Sequence, residues 1–309
     1  MESVLQRFYR NKQVLVTGGA GFIGSHLVEK LVSLGARVTV LDNFSTGSLK
    51  NLKSVVSCIN LIYADIRAPH SCLKATSNQA VVFHLAAFVS VPESIMFPEN
   101  CLQVNSLGTK NILLAAAKNN VTNVVISSSS AVYGNKAGIC SEDDDLAPLS
   151  PYATSKHEAE EWGKKIAEKS AINVVSLRYF NVYGERQNPH GSYAAVVARF
   201  THLLNNKLPL TIFGDGTQTR DFVPVAQAVE ANLIAGMTPD AKGTAFNIGS
   251  GKSITLLTLI KQLEKELKTS ATGINFLPAR MGDILHSEAS CKKFSLFAHN
   301  LVGLTEKAW

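Results

Sequence analysis

Short apolar runs alternate with longer segments whose apolar residues recur at helical spacing over the first 180 positions of the chain. Residues 13–17 read as a short buried strand. Residues 37–41, 60–63, 80–85, 122–127 and 173–179 repeat that form, with Val and Ile prominent. Residues 22–33, 98–119 and 151–170 carry the three-to-four spacing of helices, and Pro151 suits the first turn of the last. Such alternation predicts an α/β fold, a doubly wound parallel sheet covered on both faces. After Asn181 the pattern changes: Pro and Gly become frequent and the elements shorten. Residues 184–193 read as a loop, 194–205 as a helix and 209–213 as a strand, with Gly214-Asp215-Gly216 a turn. Two parts are therefore expected. Residues 1–180 form the first, and 181–309 form mainly a smaller C-terminal α/β substrate-binding domain, with 222–248 or so returning to the first. No internal repeat is visible.

The turn between the first strand and the first helix reads VTGGAGFIGSH, from Val16 to His26. Gly18, Gly21 and Gly24 stand in it. Glycines there permit a tight turn, close backbone approach to a pyrophosphate, and close helix–strand packing. The helix N-terminus then turns free N–H groups toward the phosphates. A glycine-rich turn can exist without a ligand, but the strand before it and the helix after it favour a dinucleotide site of the Rossmann type. The spacing is GxxGxxG, unlike the GxGxxG of most two-domain dehydrogenases. Asp42, eighteen residues after Gly24, ends the second strand. Its carboxylate can accept hydrogen bonds from a ribose diol and would repel a 2′-phosphate, which favours NAD over NADP. Asp65, after the third strand, can reach an adenine amino group or cap a turn.

A second motif lies far downstream. Tyr152 and Lys156 are four residues apart in YATSK, hence on one face of the predicted helix. A free tyrosine has a pKa of about 10, too high for a base near neutrality. A neighbouring ammonium, and the positive charge of an oxidised nicotinamide, favour the phenolate. YxxxK alone is a common pattern. The Ser-rich end of the fifth strand, Ser127-Ser128-Ser129-Ser130, adds a hydroxyl able to bond the reacting oxygen of an alcohol or ketone. Polar clusters at the C-terminal ends of parallel strands are where ligands bind in such sheets.

Composition narrows the field. The 309 residues are 46% hydrophobic and 17% charged, ample for a buried core. The net charge is +6, yet no block of like charges appears, so nucleic acid is not expected as a partner. Scattered basic residues suit a small anionic substrate. The five cysteines, Cys58, Cys72, Cys101, Cys140 and Cys291, form no CxxC pair, which suggests reduced thiols in a cytoplasmic protein. No run is long and apolar enough to cross a bilayer, no membrane partner is expected, and MESVLQRFYRNKQ lacks the apolar core of a signal peptide. No metal site is expected.

The ordered motifs resemble the extended short-chain dehydrogenase/reductase family, and within it the nucleotide-sugar epimerases. The likeness runs from Lys12 to Ala289. It rests on VTGGAGFIGSH, LDNFSTG, HLAA, SSSAVYG, SPYATSK, LRYFNVYG, GDGTQTRDFVPV, FNIGSG and ARMGD. The resemblance implies a catalytic triad of Ser129, Tyr152 and Lys156, with Ser130 as a second serine at the substrate. It implies NAD contacts from Gly18, Phe22, Ile23, Asp42, Asn43, Ser45, Thr46, Gly47, Asp65, Ile66, Leu85, Ala86, Ala87, Asn105 and Tyr179. It assigns the UDP group of a UDP-sugar substrate to Asn181, Ala195, Val196, Phe213, Arg220, Arg280 and Asp283. Guanidinium forks match phosphate oxygens, which suits both arginines. It further implies a homodimer, with helices 98–119 and 151–170 paired across a two-fold axis; their apolar faces could equally pack on the sheet.

Several reactions fit this frame. Dehydratases of the family carry an Asp-Glu pair where Ser130-Ala131 stands, and the related UDP-glucuronate decarboxylases a Glu where Ala131 stands. A UDP-glucuronate epimerase and a non-catalytic NAD-binding regulatory protein are further readings; the intact triad speaks against the second. Epimerisation at C4 needs only one phenol and a bound cofactor: hydrogen leaves C4, the 4-keto sugar turns over, and the same hydrogen returns. In the family's UDP-galactose enzymes the seventh residue after the phosphate-binding Arg sets the pocket size. Here it is Ser287, small enough for a 2-acetamido group, and the loop NPHGSYAAVV resembles that of epimerases of acetylated sugars. The expected substrates are UDP-GlcNAc/UDP-GalNAc, with UDP-Glc/UDP-Gal also accepted or, alternatively, the sole pair. One departure is the tail from Ser290 to Trp309, where Asn300-Leu-Val-Gly303 replaces the family's usual segment.

Overall fold

A computed structural model describes residues 3–189, 195–279 and 284–302. Its strands are β1 (Gln13–Thr17), β2 (Arg37–Asp42), β3 (Ile59–Tyr63), β4 (Val81–His84), β5 (Asn123–Ser129), β6 (Asn173–Tyr179), β7 (Asn181–Tyr183), β8 (Leu210–Phe213), β9 (Thr219–Pro224), β10 (Thr244–Ile248), β11 (Ser253–Thr255) and β12 (Ile274–Leu277). The helices are α1 (Val4–Tyr9), α2 (Phe22–Ser33), α3 (Pro69–Thr76), α4 (Val91–Met96), α5 (Pro98–Leu102), α6 (Gly108–Lys118), α7 (Pro151–Lys169), α8 (Val196–Asn205), α9 (Val225–Ala235), α10 (Leu256–Leu267) and α11 (Lys292–Val302).

The central sheet has seven strands in the order β10-β6-β5-β4-β1-β2-β3. Every neighbouring pair is parallel. This is the Rossmann-type sheet expected from the sequence, and its strand order reverses between β1 and β4. A crevice opens at such a reversal, beyond the carboxyl ends of the strands. Alternation along the strands builds two cores. Val14, Val16, Val38, Val40 and Phe83 face α2 and α9. Leu15, Leu41, Val82, Val124 and Ile126 face α3, α6 and α7.

Most predicted elements lie within one or two residues of the observed ones. The pattern over 98–119 is helical throughout, but Gln103–Leu107 is a π turn between α5 and α6. Residues 184–189 carry no regular structure, as expected of the loop, and the rest of that prediction lies outside the described residues. Past residue 195 a third core joins α8, α10, β8 and β9, around Phe200, Leu210, Ile212, Leu259 and Ile260. β10 leaves that region and pairs with β6 at the edge of the main sheet, while α9 packs beside α2. Among the described residues no helix is long and apolar enough to cross a membrane, and no cluster of side chains could hold a metal ion.

Candidate functional site

The turn after β1 is shaped by what a side chain would strike. Gly18 has φ +69, and a Cβ on it would lie 2.6 Å from the Ala86 nitrogen. A Cβ on Gly24 would lie 2.1 Å from the Gly18 carbonyl oxygen. Both positions exclude any other residue. Gly21 caps α2 without offering a side-chain acceptor. The first N–H groups of α2, at Phe22 and Ile23, are thus left for an anion. The cradle fits the pyrophosphate of NAD.

The predicted ribose and adenine residues gather at the ends of β2 and β3. Asp42 is buried; one carboxylate oxygen accepts the Ala20 N–H at 2.9 Å and the other the Phe44 N–H at 2.8 Å. Each oxygen keeps a lone pair for a ribose hydroxyl. Asn43 donates to Asp65 at 2.9 Å and accepts the Ser45 N–H at 3.0 Å. Asp65 is gripped by Arg67 at 3.0 and 2.8 Å, and that guanidinium holds its carboxyl down at about 2. Ser45 and Thr46 are exposed, and Gly47 packs on Ala20. Ile66 is buried against Gly108, and Leu85, Ala86 and Ala87 follow β4, half-buried. Asn105, in the π turn, brackets the Phe88 backbone: its Oδ1 accepts that N–H at 2.7 Å, and its Nδ2 donates to that carbonyl at 2.9 Å. π turns recur where a helix must aim a side chain at a site. The Tyr179 hydroxyl accepts a hydrogen bond from Asn232 of α9 at 2.7 Å.

Ser150 caps α7 by accepting the Ala153 N–H at 3.1 Å, and Pro151 fills its first position. Tyr152 therefore sits in the first turn and Lys156 one turn later. Lys156 Nζ lies 5.9 Å from the Tyr152 ring centroid and donates to the Ser127 carbonyl at 2.8 Å. Burial pulls the ammonium down to about 8. Burial also raises the Tyr152 phenol above its ordinary value, opposed by a hydrogen bond with Ser129. Ser129, the last residue of β5, accepts the Ala131 N–H at 3.2 Å, and Ser130 opens the short turn that follows. The structure thus brings Ser129, Tyr152 and Lys156 together at one strand end.

Sequence reading missed the layer beneath. Arg178 of β6 forms a buried ion pair with Glu160 at 2.7 Å, and Glu160 also bonds Ser128. Arg178 reaches the Tyr133 hydroxyl at 2.9 Å, which donates to Asn247 of β10 at 2.6 Å. Glu160 follows Lys156 by four residues, a helical spacing legible in the sequence.

On the substrate side, Asn181 donates to the Asp221 carbonyl at 3.1 Å, and Phe213 ends β8. Arg220 lies on β9 and donates to the Thr219 carbonyl at 2.9 Å. Ala195 caps α8, and Val196 opens it. Ser287 is buried, two residues from Leu285, whose carbonyl accepts the Thr219 N–H at 2.9 Å. Arg280 and Asp283 lie outside the described residues. The Asp221 carboxylate, fully buried, accepts from Ser250 N–H (2.7 Å), Ser250 Oγ (2.7 Å), Gly251 N–H (3.1 Å) and Ala289 N–H (3.0 Å).

A parallel sheet with a glycine cradle at its reversal point defines a dinucleotide-dependent enzyme. Comparison with known proteins carries this further. Residues 14–249 match the sequence profile of the NAD dependent epimerase/dehydratase family. A UDP-glucose 4-epimerase of Mycolicibacterium smegmatis is 37% identical over 287 residues, covering 89% of this chain and 88% of the relative. The UDP-N-acetylglucosamine 4-epimerase of Methanobrevibacter ruminantium, solved with UDP-N-acetylmuramic acid, superposes with a TM-score of 0.89 at 35% identity, covering 96% of this chain and 93% of that one. The UDP-glucose 4-epimerase of Thermus thermophilus, solved with NAD, has a TM-score of 0.84 at 34% identity, covering 94% and 93%. The chain belongs to the NAD dependent epimerase/dehydratase family. It is an enzyme of the isomerase class with NAD as its cofactor, and it stands among relatives named UDP-sugar 4-epimerases.

Proposed function

We propose that the protein interconverts UDP-hexoses at C4, acting on UDP-GlcNAc/UDP-GalNAc and also on UDP-Glc/UDP-Gal. The observation that carries this reading is the convergence of Ser129, Tyr152 and Lys156 at the end of β5, across the crevice from the Gly18–Gly24 cradle. The cradle, Asp42 and Asn43 would hold NAD, which when bound supplies a reversible hydride acceptor. The chain's own residues manage the proton. Tyr152 takes it from the 4-hydroxyl, directly or through Ser129, and returns it to the C4 oxygen once the transient 4-keto sugar has turned its other face inward. Lys156, anchored on Ser127, keeps positive charge near the phenol and so favours its ionised form. Asn181, Ala195, Val196, Phe213 and Arg220 would hold the uridine diphosphate, with Arg280 and Asp283 from outside the described residues. The small, buried Ser287 supports room for an acetamido group beside C2.

Two arrangements go with this reading. Residues 1–180 carry the cofactor and the rest mainly the sugar nucleotide. Two copies pair through the helices around α5, α6 and α7. The exposed Leu107 and Leu114 there, with Met96 and Phe97 just before α5, support such pairing. A cytoplasmic setting agrees with five unpaired thiols.

The test is the rate of C4 interconversion on the two acetylated and the two non-acetylated UDP-sugars, for the wild type and Ser287→Tyr. Both pairs should turn over in the wild type. A tyrosine would fill the acetamido space, so the variant should lose the acetylated pair and keep the other, by a ratio of about tenfold or more. Absence of all four activities in the wild type would overturn the reaction, and equal loss on both pairs would overturn the role of Ser287.

A further inference from the structure

One hydrogen-bonded chain runs through the core from the dinucleotide turn to the first turn of α7, and His84 is its middle member. Pairing of β1 with β4 sets Thr17 directly beside His84. The Thr17 hydroxyl accepts the Ala86 N–H at 3.3 Å and lies 2.7 Å from His84 Nδ1. On the far side of the ring, Nε2 lies 2.9 Å from Thr109 Oγ1. Thr109 donates its hydroxyl proton to the Asn105 carbonyl at 2.5 Å. A hydroxyl has one proton, so Thr109 can only accept from the ring. Nε2 therefore carries a proton, and in the neutral ring Nδ1 accepts from Thr17. Past Thr109 the chain continues along the π turn. Asn105 Nδ2 donates to Ser155 Oγ at 2.9 Å, and Ser155 Oγ donates to the Tyr152 carbonyl at 2.7 Å.

We propose that His84 is a positioning residue: held as the neutral Nε2–H tautomer, it fixes the cofactor loop after β4 relative to the helix turn that carries Tyr152. The proposal rests on the reading of Tyr152 as the acid–base group. The hydroxyls of Thr17 and Thr109 each have one proton and one acceptor in the chain, so reversing either bond to the ring would leave a buried hydroxyl proton unpaired. The ring is almost wholly buried, and that burial, with the Lys156 charge nearby, draws its basicity down to about 3. A ring of similar volume without nitrogens would leave the Thr17 and Thr109 hydroxyls without partners across the ring. The shape would survive and the registration would not.

The first arm of the test reads the ring itself. Imidazole nitrogen NMR shifts of the wild-type protein at neutral pH, with the His84 signal identified by its loss in His84→Asn and its perturbation in Thr109→Val, should show a neutral Nε2–H ring. A neutral Nδ1–H ring or a doubly protonated one would overturn the proposal. The second arm is kinetic and uses His84→Asn, Thr109→Val and the double variant. The shorter amide of His84→Asn keeps an acceptor near Thr17 but falls short of Thr109. Each single change should lower kcat about tenfold with sugar KM and bound NAD little altered, and the double variant should be no worse than the poorer single, since both cut one chain. Losses that multiply would mean independent contributions and would overturn the proposal. Inactivity of the wild type on every UDP-sugar would strike only the functional reading, and the tautomer would still decide this one.

Discussion

The proposed cofactor region and the proposed substrate region are built on opposite plans. Around the cofactor, the chemistry sits within a few residues of a strand end. Gly18 and Gly24 follow β1, Asp42 ends β2, and Leu85–Ala87 follow β4. The parallel sheet sets these loops side by side, so each needs only its own local sequence to be in place. The substrate region has no such frame. Asp221 gathers Ser250, Gly251 and Ala289, which come from distant stretches, through four hydrogen bonds to one buried carboxylate. Tyr133 and Asn247 likewise join the strand end at Ser129 to β10. A region organised by the sheet has each loop placed by its own strand; a region organised by one buried acceptor depends on that acceptor. Tyr152 and Lys156 stand between the two plans, on α7, which packs against the sheet.

The contrast can be broken at several points. The largest effect is expected at the shared centre. Tyr152→Phe keeps the ring and removes the titrating proton, so turnover should fall by about a hundredfold or more while NAD stays bound. Cofactor content after denaturation and initial rates would check this. Near-normal turnover would exclude Tyr152 as the base. Next comes Asp221→Asn. Either amide orientation sets an NH2 group against two donors, which should loosen the 250–251 and 289 segments together. Sugar KM should rise about tenfold or more with NAD content unchanged, because the substrate contacts are lost and the cofactor cradle is not. Loss of NAD with unchanged KM would merge the two regions and end the distinction. The smallest effect is expected from Ser129→Ala. The Ser129 hydrogen bond lowers the phenol's pKa, so its removal raises it. The reaction needs the ionised phenol, so the rising limb of kcat/KM should move to higher pH. A limb that stays in place would separate Ser129 from the ionisation of Tyr152.

The same contrast explains what could be read from the sequence. The glycine turn, Asp42 and the Tyr152–Lys156 spacing were legible because each is a local signal whose meaning depends on one strand and one helix. The π turn at Gln103–Leu107 was not, because one extra residue inside a long helical pattern leaves the apolar periodicity almost unchanged. Residues 222–248 or so were expected to return to the first part, as β10 does, but β10 itself was not read as a strand. It is five residues long, and its partner β6 ends sixty-five positions before it begins. The Glu160–Arg178 pair was half legible: Glu160 repeats the spacing of Lys156, but its partner lies on another element. Asp221 was hidden within a motif that drew attention to its neighbour Arg220. Alternation along β9 sends the two side chains to opposite faces, and the inward one carries the structural load.

The central claim is that the hydrogen removed from C4 returns to C4 without exchange with solvent. The direct test is to incubate the purified protein with UDP-GlcNAc in deuterated water, with no NAD added, and to analyse the sugar by mass and by NMR. The account predicts UDP-GalNAc rising to a steady proportion with no deuterium at C4. Deuterium at C4, or loss of water from the sugar, would contradict it.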